Sequence, residues 1–203
     1  RIDAAALREI PRKGPLILVT NHVNFLEIPI IRSRMPRHHM TGLVKAETWE
    51  NPLMAWLFSQ WQAIPIQRET TDFQALGAGL RALHEGRILA IAPEGTRSHD
   101  GCLRQAHTGV SVLALRSGAP ILPLVCFGQE AFFRDLSRGR RTPVTLRVGH
   151  PFRLIASCSR PDHQERQEIT SQIMYQLAAL LPASRRGYYA DMSRQRTDHL
   201  QFS

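Results

Sequence analysis

Six short apolar runs punctuate the chain, at Leu16–Thr20, Gly42–Ala46, Ala63–Gln67, Ile88–Ala92, Ile121–Cys126 and Val144–Val148. Each has a proline or a charged residue at one end at least and is too short for a helix, so each reads as a strand; several have no polar alternation and belong in a sheet covered on both faces. Between them the period changes. Phe73, Leu76, Leu80 and Leu83 recur at intervals of three and four, with Asp72 as a cap and Gly86 as a stop, which predicts an amphipathic helix. Val110, Leu113 and Ala114 predict another ending at Gly118, and Ile169, Ile173, Leu177, Leu180 and Leu181 a third over 163–181, closed by Pro182. Alternating strands and helices predict an α/β layered domain, its central sheet mainly parallel or mixed and flanked by helices. With no internal repeat and no linker, residues 1–203 read as a single domain. The tail over 184–203 is polar and reads as a loosely held end.

Composition narrows the class. The 203 residues, 43% hydrophobic and 21% charged, can build a core without metal or disulfide staples. Cys102, Cys126 and Cys158 are odd in number and never spaced C-x-x-C, which argues against a disulfide framework or zinc ribbon and for a reducing, cytoplasmic setting. No apolar run approaches the roughly 18 residues of a membrane span, and residues 1–14 lack the apolar core of a signal peptide. The net charge of +9 points to phosphate-bearing or anionic partners. Nucleic acid is not among those expected, because basic residues are not interleaved with aromatic ones and no readable motif occurs. Six arginines between Arg134 and Arg153 face one acid, Asp135, beside Phe132-Phe133. With the apolar stretch Leu53–Phe58 and Trp61, this suggests peripheral contact with an anionic membrane.

In a parallel sheet, ligands gather where strands end in loops. Two such segments carry chemistry, Asn21-His22-Val23-Asn24-Phe25-Leu26-Glu27 and Pro93-Glu94-Gly95-Thr96-Arg97-Ser98. At ~100° per residue, His22 and Glu27 would lie about 140° apart on a regular helix, so they meet only across a turn. Asn24 as N-cap with Glu27 three residues on supplies that turn as a capping box, although Pro29 falls within the same helix start. Capping could be Glu27's only role. If the two side chains meet, the carboxylate fixes the imidazole tautomer and the other ring nitrogen serves as general base. Gly-x-Ser-x-Gly is absent, which favours direct attack by an acceptor alcohol over a serine nucleophile. Gly95 admits close backbone approach to a ligand, and Arg97 offers a planar fork for phosphate.

These segments resemble the signature blocks of the glycerolipid acyltransferase family, which includes the 1-acyl-sn-glycerol-3-phosphate (lysophosphatidate) acyltransferases. The family pattern N-H-x-x-x-x-D, a strand ending near an arginine, F-P-E-G-T-R-S, and P-I-x-P is matched by Asn21-His22 with Glu27, Ile64–Arg68, Ala92–Ser98 and Ala119–Pro123. Two departures are Glu27 for the usual aspartate and Ala92 for the usual phenylalanine. The resemblance implies the family's fold and transfer of a fatty acyl group, from acyl-CoA or acyl carrier protein, to the free hydroxyl of 1-acyl-sn-glycerol-3-phosphate. The product would be phosphatidic acid, in phospholipid biosynthesis, made at the cytoplasmic face of the membrane. By the same resemblance His22 is the base and Glu27 its partner; Lys45, Arg68 and Arg97 hold the acceptor phosphate; Glu94, Gly95 and Thr96 shape that pocket. No metal or organic cofactor is implied. Glycerol-3-phosphate, another lysolipid or a glycolipid as acceptor, or an inactive lipid-binding relative, stay open as alternatives.

Overall fold

The computed structural model describes residues 2–3, 7, 10–24, 26–35, 39–66, 71–98, 100–156 and 161–202. Its strands are β1 (Ile2–Asp3), β2 (Leu16–Thr20), β3 (Met40–Lys45), β4 (Ile64–Ile66), β5 (Ile88–Ile91), β6 (Ile121–Phe127), β7 (Val144–Val148), β8 (Phe152–Leu154) and β9 (Leu200–Phe202). The helices are α1 (Glu27–Arg34), α2 (Pro52–Gln60), α3 (Thr71–His84), α4 (Gly109–Ser117), α5 (Phe132–Ser137) and α6 (His163–Leu180). Among the described residues the strands form one sheet in the order β1-β7-β6-β2-β5-β3-β4, with β8 paired to β6 and β9 to β8.

The expected mixed sheet has a parallel centre. β2 runs parallel to both β5 and β6, and β3 parallel to β5 and β4, whereas β7 and β8 run antiparallel to β6. Ile17, Leu18 and Val19 are wholly buried, so the centre of the sheet is covered on both faces. The period of two sorts their side chains. Ile17 and Val19 pack with Leu83 of α3, Val110 and Leu113 of α4, and Ile169, Ile173 and Leu177 of α6. Leu16 and Leu18 point the other way, toward Ile31 of α1 and Met35. The carboxyl ends of β2 to β6 therefore share one edge, and the loops that follow them converge there.

Three expectations fail. Phe73, in the first turn of α3, is 74% exposed rather than on the buried stripe with Leu83. Asp72 lies inside α3 rather than at its cap. The tail is not loose: Tyr189 is buried and T-stacked on Tyr175, its hydroxyl accepts the Ala106 N–H at 3.2 Å, and β9 pairs antiparallel with β8. Aromatic burial and strand pairing anchor a segment whose polar composition conceals both.

Candidate active site

β2 ends at Thr20, and Asn21 continues its pairing with β6 through a side chain. The Asn21 amide donates to the Cys126 carbonyl at 2.9 Å and accepts the Cys126 N–H at 2.9 Å, with both residues buried. That clamp fixes where the chain leaves the sheet, one residue before His22. The next turn is built around Glu27, which is 1% exposed. Its Oε1 accepts the Val23 and Asn24 N–H groups, each at 2.7 Å, while the Asn24 Oδ1 accepts the Leu26 N–H at 2.9 Å. The expected capping box does not form: the N-cap of α1 is Leu26, which has no side-chain cap, and Asn24 and Glu27 instead close a short turn ahead of the helix, because Asn24 bonds two residues on and not three. Pro29 is third in α1, where its missing N–H breaks no helical bond.

That turn uses only one of the two carboxylate oxygens. Glu27 Oε2 lies 3.2 Å from His22 Nδ1, and the imidazole is 28% exposed. Facing a carboxylate, Nδ1 carries the proton, which leaves the Nε2 lone pair free to act as a base. The added methylene of glutamate does not prevent the pair from forming. The carboxylate reaches back across the turn to both the loop's peptide groups and the imidazole.

The second segment grips the main chain of the first. Glu94 Oε1 accepts the His22 N–H at 2.8 Å, and the Ser98 N–H donates to the His22 carbonyl at 2.8 Å. The other Glu94 oxygen accepts the Arg104 N–H at 2.8 Å. Glu94 is 2% exposed, and burial pushes its carboxyl up to about 6, against the pull of these two backbone hydrogen bonds. It thus acts as a positioning residue for the His22 loop, with both oxygens spent on backbone. Gly95 has φ +65°, and a Cβ there would lie 2.9 Å from His107 Cδ2, so conformation and close approach both require glycine. Thr96 and Arg97 are exposed on the loop whose two ends are tied to His22. Lys45 closes β3, where it pairs with Ile66; its side chain and the whole of Arg68 lie outside the described residues.

An open cavity of about 480 Å³ adjoins this loop, lined in part by Leu43, Leu76, Ile91, Ala106, His107 and Val112. His107 is also the neighbour of Gly95. Among the described residues no group of three histidine, cysteine or carboxylate side chains is arranged to hold a metal ion. No helix among them is long and apolar enough to cross a membrane.

One member of the site was not anticipated. Gln129, fully buried after β6, donates from Nε2 to Glu27 Oε1 at 2.9 Å. It belongs to no motif. The available signal was positional: Gly128-Gln129 directly follows the strand at 121–127, just as the two motif segments follow theirs.

Comparison with known proteins gives a consistent picture. The family model described as Acyltransferase matches residues 1–127. The chain is 35% identical over 117 residues to a lyso-ornithine lipid O-acyltransferase of Pseudomonas aeruginosa, covering 57% of this chain and 44% of that protein. It is 26% identical over 151 residues to a chloroplastic 1-acyl-sn-glycerol-3-phosphate acyltransferase of Brassica napus, covering 73% of this chain and 43% of the relative. The chain thus spans less than half the length of either relative. In fold it is similar to the crystal structure of the 1-acyl-sn-glycerophosphate acyltransferase of Thermotoga maritima. The TM-score is 0.60 at 22% identity, over 85% of this chain and 67% of the other.

Proposed function

The chain belongs to the acyltransferase family, and from that premise we propose that it moves a fatty acyl group from a thioester to the free hydroxyl of a lysolipid. The carrying observation is the His22 Nδ1 to Glu27 Oε2 contact of 3.2 Å at the shared edge of the parallel strands. His22 Nε2 takes the hydroxyl proton as the acceptor oxygen bonds to the thioester carbonyl carbon. The tetrahedral intermediate then expels the thiolate as the carbon–sulfur bond breaks, and the imidazolium returns its proton to that sulfur. Glu27 stabilises the imidazolium between the two transfers. The reaction so written needs no metal or organic cofactor.

The donor is acyl-CoA or acyl carrier protein, and the acceptor 1-acyl-sn-glycerol-3-phosphate, giving phosphatidic acid. Arg97, with Lys45 and Arg68, would hold the acceptor phosphate, while Gly95 and Thr96 shape the loop between. The cavity beside His107 is apolar enough along Leu43, Leu76, Ile91 and Val112 to accept an acyl chain. A second acceptor, a lysolipid without glycerol phosphate, is favoured by the name of the Pseudomonas relative.

Such acceptors reside in membranes, and the surface suits peripheral contact with an anionic cytoplasmic face. Phe133 and Leu136 on α5 are 58% and 60% exposed, among the exposed Arg134, Arg138, Arg140 and Arg141. Leu53 and Trp56 on α2 are exposed as well, whereas Phe58 turns inward between Trp49 and Trp61.

The test is acyl transfer from labelled acyl-CoA to lysophosphatidate, glycerol-3-phosphate, monoacylglycerol and lyso-ornithine lipid. Lysophosphatidate should be the best acceptor and monoacylglycerol should fail. Equal use of monoacylglycerol would remove the phosphate clamp, and a preference for lyso-ornithine lipid would establish the second acceptor. His22→Ala should lower turnover by roughly 10²–10⁴ while the protein stays folded. Retained turnover in the folded variant removes His22 as the base, and silence with every acceptor and donor leaves an inactive lipid-binding relative.

A further inference from the structure

We infer that Gln129 is a positioning residue of the His22–Glu27 dyad, holding the glutamate carboxylate by a donor from outside its own loop; this rests on the acyltransferase reading only for its kinetic consequences. Gln129 lies 102 residues from Glu27 in sequence and is fully buried. Its Nε2 has two neighbours, Glu27 Oε1 at 2.9 Å and the Cys126 carbonyl at 3.2 Å. Both are acceptors, so only the amide nitrogen fits there, and the orientation of the amide follows from chemistry. The oxygen left over, Gln129 Oε1, is buried without a hydrogen-bond partner among the described residues. A leucine or methionine would avoid that desolvated acceptor, so the glutamine is poorly explained by packing alone.

The local chain is shaped to deliver this side chain. Gly128 has φ +101°, and a Cβ there would lie 2.3 Å from the Pro143 carbonyl oxygen, so the turn into Gln129 requires glycine. Glu130 fixes the turn by accepting the Gly128 N–H at 2.9 Å and pairing with Arg185. The Gln129 carbonyl in turn accepts the Asn24 side-chain amide at 3.2 Å. The β6 loop therefore meets the dyad turn at both a side chain and a main chain.

Glutamate has one more rotatable bond than aspartate, and this explains the need. Two peptide N–H groups pin Oε1 from within the turn, yet the carboxylate plane can still swing Oε2 about that point. A third donor from β6 closes off that rotation and holds Oε2 toward Nδ1.

The test uses Gln129→Met, similar in length but lacking the donor. NMR titration of the imidazoles, with His22 assigned by comparison with His22→Ala, should show the His22 midpoint displaced by about 0.3 pH unit or more. Turnover should fall at least about tenfold, with the acceptor KM within about twofold. In the Glu27→Asp background the same substitution should cost much less, because the shorter side chain has no such rotation to restrain. An unmoved His22 midpoint in the folded variant overturns the assignment. If Gln129→Met does not fold, the native protein decides: the Gln129 side-chain amide protons should be protected from solvent exchange and shift in step with the His22 titration. Rapid exchange or no response overturns the role. The titration needs no substrate, so a displaced midpoint in a protein without acyl transfer would uphold the positioning role while removing the acyltransferase function.

Discussion

Replacing Glu94 by glutamine should remove a pH-dependent loss of stability and lower activity. The carboxyl stands at about 6 rather than its ordinary 4.5 because burial penalises the ion more than the His22 and Arg104 N–H groups reward it. Below pH 4.5 the group is protonated in both the folded and the unfolded chain. Between 4.5 and about 6 the unfolded chain has released its proton and the folded chain has not, so stability falls as pH rises through that window. Above it, the native state carries a penalty of about 2 kcal/mol. Glutamine cannot ionise and resembles the protonated acid, with one oxygen to accept and one nitrogen that cannot. Glu94→Gln leaves one of the two peptide N–H groups without an acceptor, so it should be less stable than the native protein near pH 4 by about 1–3 kcal/mol and should regain about 2 kcal/mol of that difference by pH 7.

Activity should fall at every pH. The ionised carboxylate serves two N–H donors at once, whereas the amide serves one and turns an N–H toward the other. Either the His22 or the Arg104 peptide loses its acceptor. A dyad displaced by a fraction of an ångström should lose at least about tenfold in turnover. Urea unfolding of both proteins at intervals from pH 4 to pH 7, with acyl transfer measured alongside, checks both halves. Parallel stability curves across pH 4.5–6 would refute the assignment of that slope to Glu94, and full activity in the variant would refute its hold on His22.

Glu27→Gln keeps the size and loses the charge, so it should abolish most turnover, while Glu27→Asp should retain a substantial part; assays of both against native separate orientation of His22 from capping alone, which predicts no loss in Gln. Flotation with vesicles should show binding that rises with anionic lipid and is released by roughly 0.5–1 M salt, since screening shortens to about 3 Å at 1 M. Phe133→Ser with Leu136→Ser should weaken it further, and binding indifferent to lipid charge and to both substitutions would exclude α5 as the contact.

The elements legible in sequence were those with enough residues to show a period. All six apolar runs form strands, within one or two residues at their ends, because strands buried on both faces leave continuous hydrophobic sequence. β8 and β9 escaped because three residues carry no period, and they are held by pairing with each other and with β6. Phe73 misled because helical spacing marks a face without showing how far along the helix that face is covered. The polar tail hid two anchors, Tyr189 and Leu200, in a segment too irregular for either period.

The site was legible where side-chain chemistry advertises itself and illegible where a side chain serves a distant peptide group. His22 and Glu27 were paired on chemistry and spacing, and the turn between them was foreseen from Asn24. Glu94 carries the same carboxylate but binds only main-chain N–H groups, one of them 72 residues away, and nothing in a motif's letters separates that work from ligand contact. Asn21 and Gln129 make contacts across 105 and 102 residues, fixed by the parallel register of β2 on β6 and invisible before that register exists. The order of assembly follows. The sheet sets the register, the register brings the β6 turn and the Glu94 loop against the end of β2, and only then can the six residues from His22 to Glu27 hold an imidazole against a carboxylate. A transplanted Asn21–Glu27 segment would keep its local turn and lose the dyad, because three of the ties that aim it, from Glu94, Ser98 and Gln129, come from the loops after β5 and β6.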